Sequence, residues 1–265
     1  LLRCDLSLRL AVQLYRAGPV GLLHADRQLL TGASEAAMMM LHIPDVLTSE
    51  EAADLRARLL AAPWVDGNAT SGAGAAQAKR NRQLPEDGEA ARAAQQVVSS
   101  ALTESATFLS AALPHTIFPP LFNRYGVGET FGLHVDNAVR YHAATGARIR
   151  TDLSATLFLT PPEEYDGGEL IVEDNSGMQS HKYPAGSLLL YPSTTLHRVA
   201  EVTRGERVSC FMWLQSLVAD NAAREMLFDL DQSVQTLSAD RGATDAEVLK
   251  LTQLYHNLVR RWAQS

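Results

Sequence analysis

Between Phe118 and Leu214 the chain is a succession of short apolar runs, most of them closed by glycine or proline. Phe118 to Tyr125 leads into Gly126-Val127-Gly128, Leu153 to Thr160 alternates apolar residues with Ser154 and Thr156, and Glu169 to Glu173 follows Gly167-Gly168. Leu188 to Tyr191 is apolar throughout and leads into Pro192. Runs of this length and punctuation read as strands, and many of them at regular spacing argue for a double-sheet jelly roll. The flanks change period. Thr48-Ser49-Glu50-Glu51 has capping-box spacing ahead of a Leu55, Leu59, Leu60 stripe that stops before Pro63. Glu89 to Leu113 reads as one alanine-rich helix ended by Pro114, with Val97, Val98, Leu102 and Leu109 inward. After Gln215, Asn221 to Leu237 is helical, and Thr244 to Glu247 forms another capping box before Val248, Leu251, Leu254, Tyr255, Leu258 and Trp262. That last apolar face must cover the barrel or a second subunit.

Within the β-rich region the chemistry-bearing residues stand at two places. His134-Val135-Asp136 puts an imidazole and a carboxylate two residues apart, which in extended chain means one side. His197, delivered by the Leu188–Tyr191 strand and the turn after it, can complete a three-ligand face. Two histidines and one carboxylate on one side of a metal leave its other positions open, the ligand set of non-haem Fe(II) oxygenases. Ten residues later Arg207 opens the strand Arg207 to Leu214, sharing a face with Ser209, Phe211 and Trp213. A cation in such a strand needs a partner. The choices are a carboxylate held bidentately by the guanidinium or a salt bridge at the sheet rim.

Six ordered motifs now coincide: His134-x-Asp136, Asp166-Gly167-Gly168-Glu169-Leu170, Pro184-Ala185-Gly186-Ser187-Leu188, Tyr191-Pro192-Ser193, His197-Arg198-Val199 and Arg207-x-Ser209. Together they resemble the Fe(II)- and 2-oxoglutarate-dependent dioxygenases of the prolyl-hydroxylase-like superfamily. Within it the chain is similar to the bacterial PKHD-type hydroxylases, the PiuC iron-uptake-factor group. The resemblance implies a double-stranded β-helix core that binds Fe(II) through His134, Asp136 and His197, with Arg207 on the distal carboxylate of 2-oxoglutarate. Ser209 and Tyr125 would complete the hydrogen bonds to that co-substrate; Tyr125 can equally be a core aromatic. The implied reaction couples oxidative decarboxylation of 2-oxoglutarate, with O2, to hydroxylation of a small-molecule or peptide substrate, and L-ascorbate would rescue oxidised iron. The alternative class is a catalytically silent jelly-roll module that binds or senses iron.

The resemblance also organises the chain: 1–38 an extension of doubtful structural role, 39–115 an N-terminal helical support, 116–217 the dioxygenase jelly roll, 218–265 a C-terminal helical region able to serve a homo-oligomer. Met38-Met39-Met40 reads as a start, so the residues before it read as a translated upstream extension or a fragment of something else, with at best a frayed helix around Leu6 to Tyr15. Gly67 to Ala78 reads as a loop. Lys79 to Leu84 reads from composition as a solvated basic run, whereas the resemblance makes Asn81 and Gln83 candidates for the wall of the substrate pocket. Among the remaining histidines, only His142, in a loop expected near the site, is a candidate to approach substrate.

A formal net charge of -7 argues against nucleic acid as an obligatory partner. No apolar run reaches the roughly 18 to 20 residues of a membrane span. The two cysteines, Cys4 and Cys210, form no disulfide framework or zinc signature, which fits a reducing cytoplasm and labile ferrous iron.

Overall fold

A computed structural model describes residues 2–3, 40–67, 79–142, 146–174 and 176–264. The expected extension falls almost entirely outside these residues, as do most of the Gly67–Ala78 loop and the loop residues 143–145. Among the described residues, nine strands make one sheet, five make a second, and five α-helices flank them. Every strand pairing is antiparallel.

The larger sheet runs in spatial order Leu41–Ile43, Leu188–Pro192, Leu153–Phe158, Arg207–Ser216, Leu121–Tyr125, Arg82–Gln83, Val65–Asp66. The smaller runs Gly177–His181, Leu170–Asp174, His197–Val199, Thr130–His134, Lys79–Arg80. Tyr125, Phe158, Leu189 and Tyr191 of the first meet Leu170, Val172 and Val199 of the second in one buried cluster, so the sheets face each other. Residues 79 to 83 belong to both. Lys79 pairs with Phe131 in the smaller sheet and Gln83 with Asn123 in the larger, so this segment straps the two together along one side.

The pleat decides which face of the larger sheet meets what. Val208, Cys210, Met212 and Leu214, with Leu153, Ala155, Leu157, Leu188 and Leu190, pack against α1 (Ser49–Leu60), α2 (Glu89–Glu104) and α3 (Ala106–Ala112). Arg207, Ser209, Phe211 and Trp213 share the opposite side, as do Ser154, Thr156, Leu189 and Tyr191. A slip of one residue would press Arg207 and Ser209 onto the helices. Burying each apolar side chain contributes roughly 1.5–3 kcal/mol, against roughly 0.2–1 kcal/mol for a cross-strand pair, so burial of the helix-facing row sets the register.

Several expectations shift at element ends. Thr48 caps α1 with the reciprocal bonds of a capping box, Glu51 N to Thr48 Oγ1 at 3.2 Å and Thr48 N to Glu51 Oε2 at 2.8 Å. The alanine-rich helix is two helices, because Ser105 is extended (φ -80, ψ 104) and its hydroxyl accepts from Phe108 N to start the second. The strand expected over Phe118–Tyr125 begins only at Leu121, and a separate strand, Pro114–Ile117, precedes it. Pro119 and Pro120 have no N–H to give a ladder, so Pro114–Ile117 and Leu121–Tyr125 pair with different halves of Arg207–Ser216. The last two helices are α4 (Asn221–Arg241) and α5 (Ala246–Trp262). Asp245, one residue beyond the expected Thr244, caps α5 through Glu247 N and Val248 N. Tyr255 is buried in a cluster with α4 residues, Leu113 and Val218, and Val248 is buried as well, whereas Leu254, expected on that face, is 47% exposed. Among the described residues no helix is long and apolar enough to cross a membrane.

Candidate active site and metal centre

The His197–Val199 and Thr130–His134 strands are neighbours, and their register sets His197 opposite His134. The two rings lie with centroids 4.2 Å apart. Just beyond the end of the second strand, Asp136 places Oδ2 3.7 Å from His197 Nε2. The ligand atoms of all three residues lie within 4.8 Å of one another, an arrangement able to hold a metal ion.

Each histidine is held by its other nitrogen. His134 Nδ1 lies 2.8 Å from Gly132 O, and His197 Nδ1 3.0 Å from Thr195 O. A carbonyl can only accept, so both Nδ1 atoms carry a proton, and in the neutral ring the lone pair is left on Nε2. Burial, reinforced by His197, pushes the His134 pKa down to about 4, which keeps that ring neutral at pH 7. The carboxylate is held as well: Ser154 Oγ donates to Asp136 Oδ2 at 2.6 Å and lies 2.7 Å from Ser193 Oγ, from which it accepts. Phe131 stacks on the His134 ring at 3.7 Å. Two neutral imidazoles and one carboxylate, each already positioned, fit a divalent iron.

Arg207 comes from the facing sheet and lines the same pocket. It is 2% exposed, yet no carboxylate among the described residues forms an ion pair with it. Its Nη1 donates to Ser209 Oγ at 2.6 Å, Ser209 donates in turn to Asn123 Oδ1, and its buried Nε has no hydrogen-bond partner. Gly168 makes room for it: with φ +67, a Cβ there would stand 3.2 Å from Arg207 Cδ and 3.0 Å from the Tyr165 ring. The second glycine of Asp166-Gly167-Gly168 thus has a packing reason. A buried guanidinium without a counter-charge is costly, and a carboxylate held by its fork is the group that would offset the cost.

Tyr125 sits opposite Arg207 in the strand register, fully buried, its ring centroid 5.4 Å from the guanidinium carbon. Burial raises its pKa to about 12. Its hydroxyl faces the Asn81 amide without a hydrogen bond of good geometry. The structure therefore brings His134, Asp136, His197, Arg207, Ser209 and Tyr125 into one place. His142 is elsewhere, edge-on to Phe118 with centroids 5.8 Å apart.

Ser154 and Ser193 go unnoticed in the sequence as supports of Asp136, although Ser154 is, with Thr156, one of two polar residues on the pocket-facing row of a fully buried strand. Composition also misreads Lys79. Arg80 and Arg82 are exposed as a basic run would be, but Lys79, Asn81 and Gln83 are buried. Alternation in Lys79-x-Asn81-x-Gln83 was the available signal.

Comparison with known proteins supplies the family. Residues 120–215 match the 2OG-Fe(II) oxygenase superfamily, and residues 221–264 the PKHD-type hydroxylase C-terminal domain. A PKHD-type hydroxylase of Burkholderia ambifaria is 59% identical over 227 residues, which is 86% of this chain and 100% of that protein. The chain belongs to the PKHD-type hydroxylases. A second member, from Caulobacter sp., is 58% identical over 85% of this chain and 100% of its own length. The crystal structure of a Pseudomonas putida prolyl-4-hydroxylase overlaps 67% of this chain and 92% of that chain at 21% identity, with a TM-score of 0.45. As a family member the chain is an Fe(II)- and 2-oxoglutarate-dependent hydroxylase.

Proposed function

We propose that His134, Asp136 and His197 hold the iron and that Arg207, Ser209 and Tyr125 hold 2-oxoglutarate, in a jelly-roll core spanning 116–217 between the helical regions 39–115 and 218–265. The observation that carries this reading is the buried Arg207 lying in the same pocket as the three ligands, without an acidic partner among the described residues. A module that only bound or sensed iron has no use for such a clamp. When bound, Fe(II) and 2-oxoglutarate supply the oxygen chemistry that places a hydroxyl on a C–H carbon while the co-substrate becomes succinate and carbon dioxide.

The chain's own residues bind, orient and exclude water. Gly132 O and Thr195 O fix the imidazoles so that both Nε2 atoms face one point, and the Ser193–Ser154 pair turns Asp136 toward it. Arg207 fixes the far end of the co-substrate. Tyr125, Tyr191, Leu170 and Val199 form buried walls that keep the reacting carbon away from bulk solvent. Ascorbate as reductant and a link to iron uptake belong to the same proposal and rest on the family resemblance; a cytoplasmic location rests on the cysteine usage. The test is succinate release by the purified protein with Fe(II), 2-oxoglutarate and O2, read together with anaerobic calorimetry of 2-oxoglutarate on protein loaded with Mn(II). No binding and no succinate would overturn the reading in favour of the silent module.

A further inference from the structure

The strap between the sheets brings another buried cation to the pocket. Lys79 is 5% exposed and lines the cavity shared by the metal ligands and Arg207. Its Nζ lies 5.5 Å from the centroid of Phe131, the ring stacked on His134. An ammonium has three donors. Two of them end on neutral oxygens, Gly67 O at 2.9 Å and Gln83 Oε1 at 3.0 Å, and no carboxylate of the described residues forms an ion pair with it. Arg140, which disfavours the charge, and Asp66 and Glu86, which favour it, lie within electrostatic reach of Lys79; the Arg140 guanidinium is 4.2 Å from the centroid of Trp213, which also lines the pocket.

Charge decides what such a residue would face. In the proposed complex the charges of Fe(II) and Arg207 are cancelled by Asp136 and the two carboxylates of 2-oxoglutarate. The charge of Lys79 remains. Burial already disfavours that charge, holding the pKa down to about 8, and a buried cation is stabilised best by an anion that reaches its free donor.

Resting on the iron and 2-oxoglutarate reading above, we infer that Lys79 determines specificity: its ammonium receives a carboxylate carried by the molecule to be hydroxylated. Phe131 and Gln83 orient that ammonium, and the prime substrates are carboxylic acids or carboxylate-bearing side chains rather than neutral or cationic molecules.

The probe is a panel of N-acetyl amino acids, each with its α-carboxylate free or converted to the primary amide, titrated into Mn(II)- and 2-oxoglutarate-loaded protein. The aspartate and glutamate members, amidated only at the α-carboxylate, separate a side-chain carboxylate from a terminal one. We expect at least one member to bind tenfold or more tightly than its amide, and Lys79→Met, while still binding 2-oxoglutarate, to reduce that ratio below twofold. The chain has three lysines, Lys79, Lys182 and Lys250. With lysine labelled at Cε and diamagnetic Zn(II) in place of Mn(II) for this readout, Lys182→Arg and Lys250→Arg assign the Lys79 signal without altering Lys79, and that signal should move with the acid and stay with the amide. A wild type with no preference for carboxylate over amide overturns the inference, as does a preference that survives in Lys79→Met or a Lys79 signal that the acid leaves in place. Failure of the wild type to bind 2-oxoglutarate would instead overturn the iron and co-substrate reading.

Discussion

The two ends of the pocket are built differently. At the metal end, on the smaller sheet, the protein supplies a partner for each supporting atom: carbonyls for both Nδ1 atoms and Ser154 for the carboxylate. At the Arg207 end, on the larger sheet, Arg207 Nε and Tyr125 Oη are buried without a hydrogen bond of good geometry. Buried polar groups are normally satisfied, and an unsatisfied one costs about 1–3 kcal/mol. One end is therefore satisfied by the protein itself, and the other keeps buried donors that the proposed co-substrate would satisfy. Removing a group should then have opposite signatures at the two ends.

The largest effect belongs to Asp136. Asp136→Ala leaves two neutral imidazoles to hold a divalent ion, and we expect turnover to be abolished. Metal affinity should fall by more than the roughly 100-fold ceiling for outer-sphere changes, with the melting temperature of the metal-free protein nearly unchanged. Near-normal succinate formation by the folded variant would remove Asp136 from the ligand set. Arg207→Ala comes next and should spare the metal. Removing one partner of a buried charge pair costs about 3–5 kcal/mol, so 2-oxoglutarate should bind roughly 150- to 4000-fold more weakly while Mn(II) affinity stays within twofold. Arg207→Lys should fall between, because it keeps the charge and loses the fork. If Arg207→Ala binds 2-oxoglutarate as the wild type does, the two ends are not divided as proposed.

How much of this the sequence discloses follows the same division. His134, Asp136, His197 and Arg207 are legible because side-chain chemistry restricts the residue types that can do these tasks, and the strand period shows which neighbours share their face. The supports are less legible. Ser154 is one serine in an apolar strand, and only the fold sets it beside Asp136, 18 residues earlier. Lys79 is hidden for another reason: composition sees a basic run in Lys79 to Leu84, but pairing with Phe131 on one side and Asn123 on the other makes it a strap with alternate residues buried. Helix ends were missed where two residues compete for one role, as Ser105 does by interrupting an otherwise continuous alanine-rich pattern. The 3.6-residue period carries no information about such a break.

Ser154→Ala tests whether the metal end owes its order to the protein. It removes the donor to Asp136 Oδ2 and disconnects Ser193, so the carboxylate should be free to rotate. Loss of an outer-sphere partner of this kind weakens metal binding by roughly 10- to 100-fold. We expect that in a Mn(II) titration, together with a slightly lower melting temperature of the metal-free protein. Unchanged metal affinity would mean that Asp136 is positioned by its backbone alone.

The smallest effect is expected from Tyr125→Phe, and it is the sharpest test of the difference between the ends. The substitution deletes one buried hydroxyl that makes no good hydrogen bond in the free protein, so it should leave the melting temperature of the metal-free protein unchanged or slightly raised. Ser154→Ala should lower it. If the hydroxyl donates to 2-oxoglutarate, the loss is one hydrogen bond to a charged acceptor, about 1.5 kcal/mol at the low end, or roughly tenfold in affinity. Burial holds the Tyr125 pKa near 12, so the hydroxyl keeps its proton and remains a donor throughout the neutral range. The expected outcome is thus a protein no less stable that binds its co-substrate about ten times more weakly, measured by melting and by anaerobic titration of the same preparation. A variant with the same 2-oxoglutarate affinity as wild type would return Tyr125 to the role of a core aromatic and leave Arg207 and Ser209 as the co-substrate's only proposed partners.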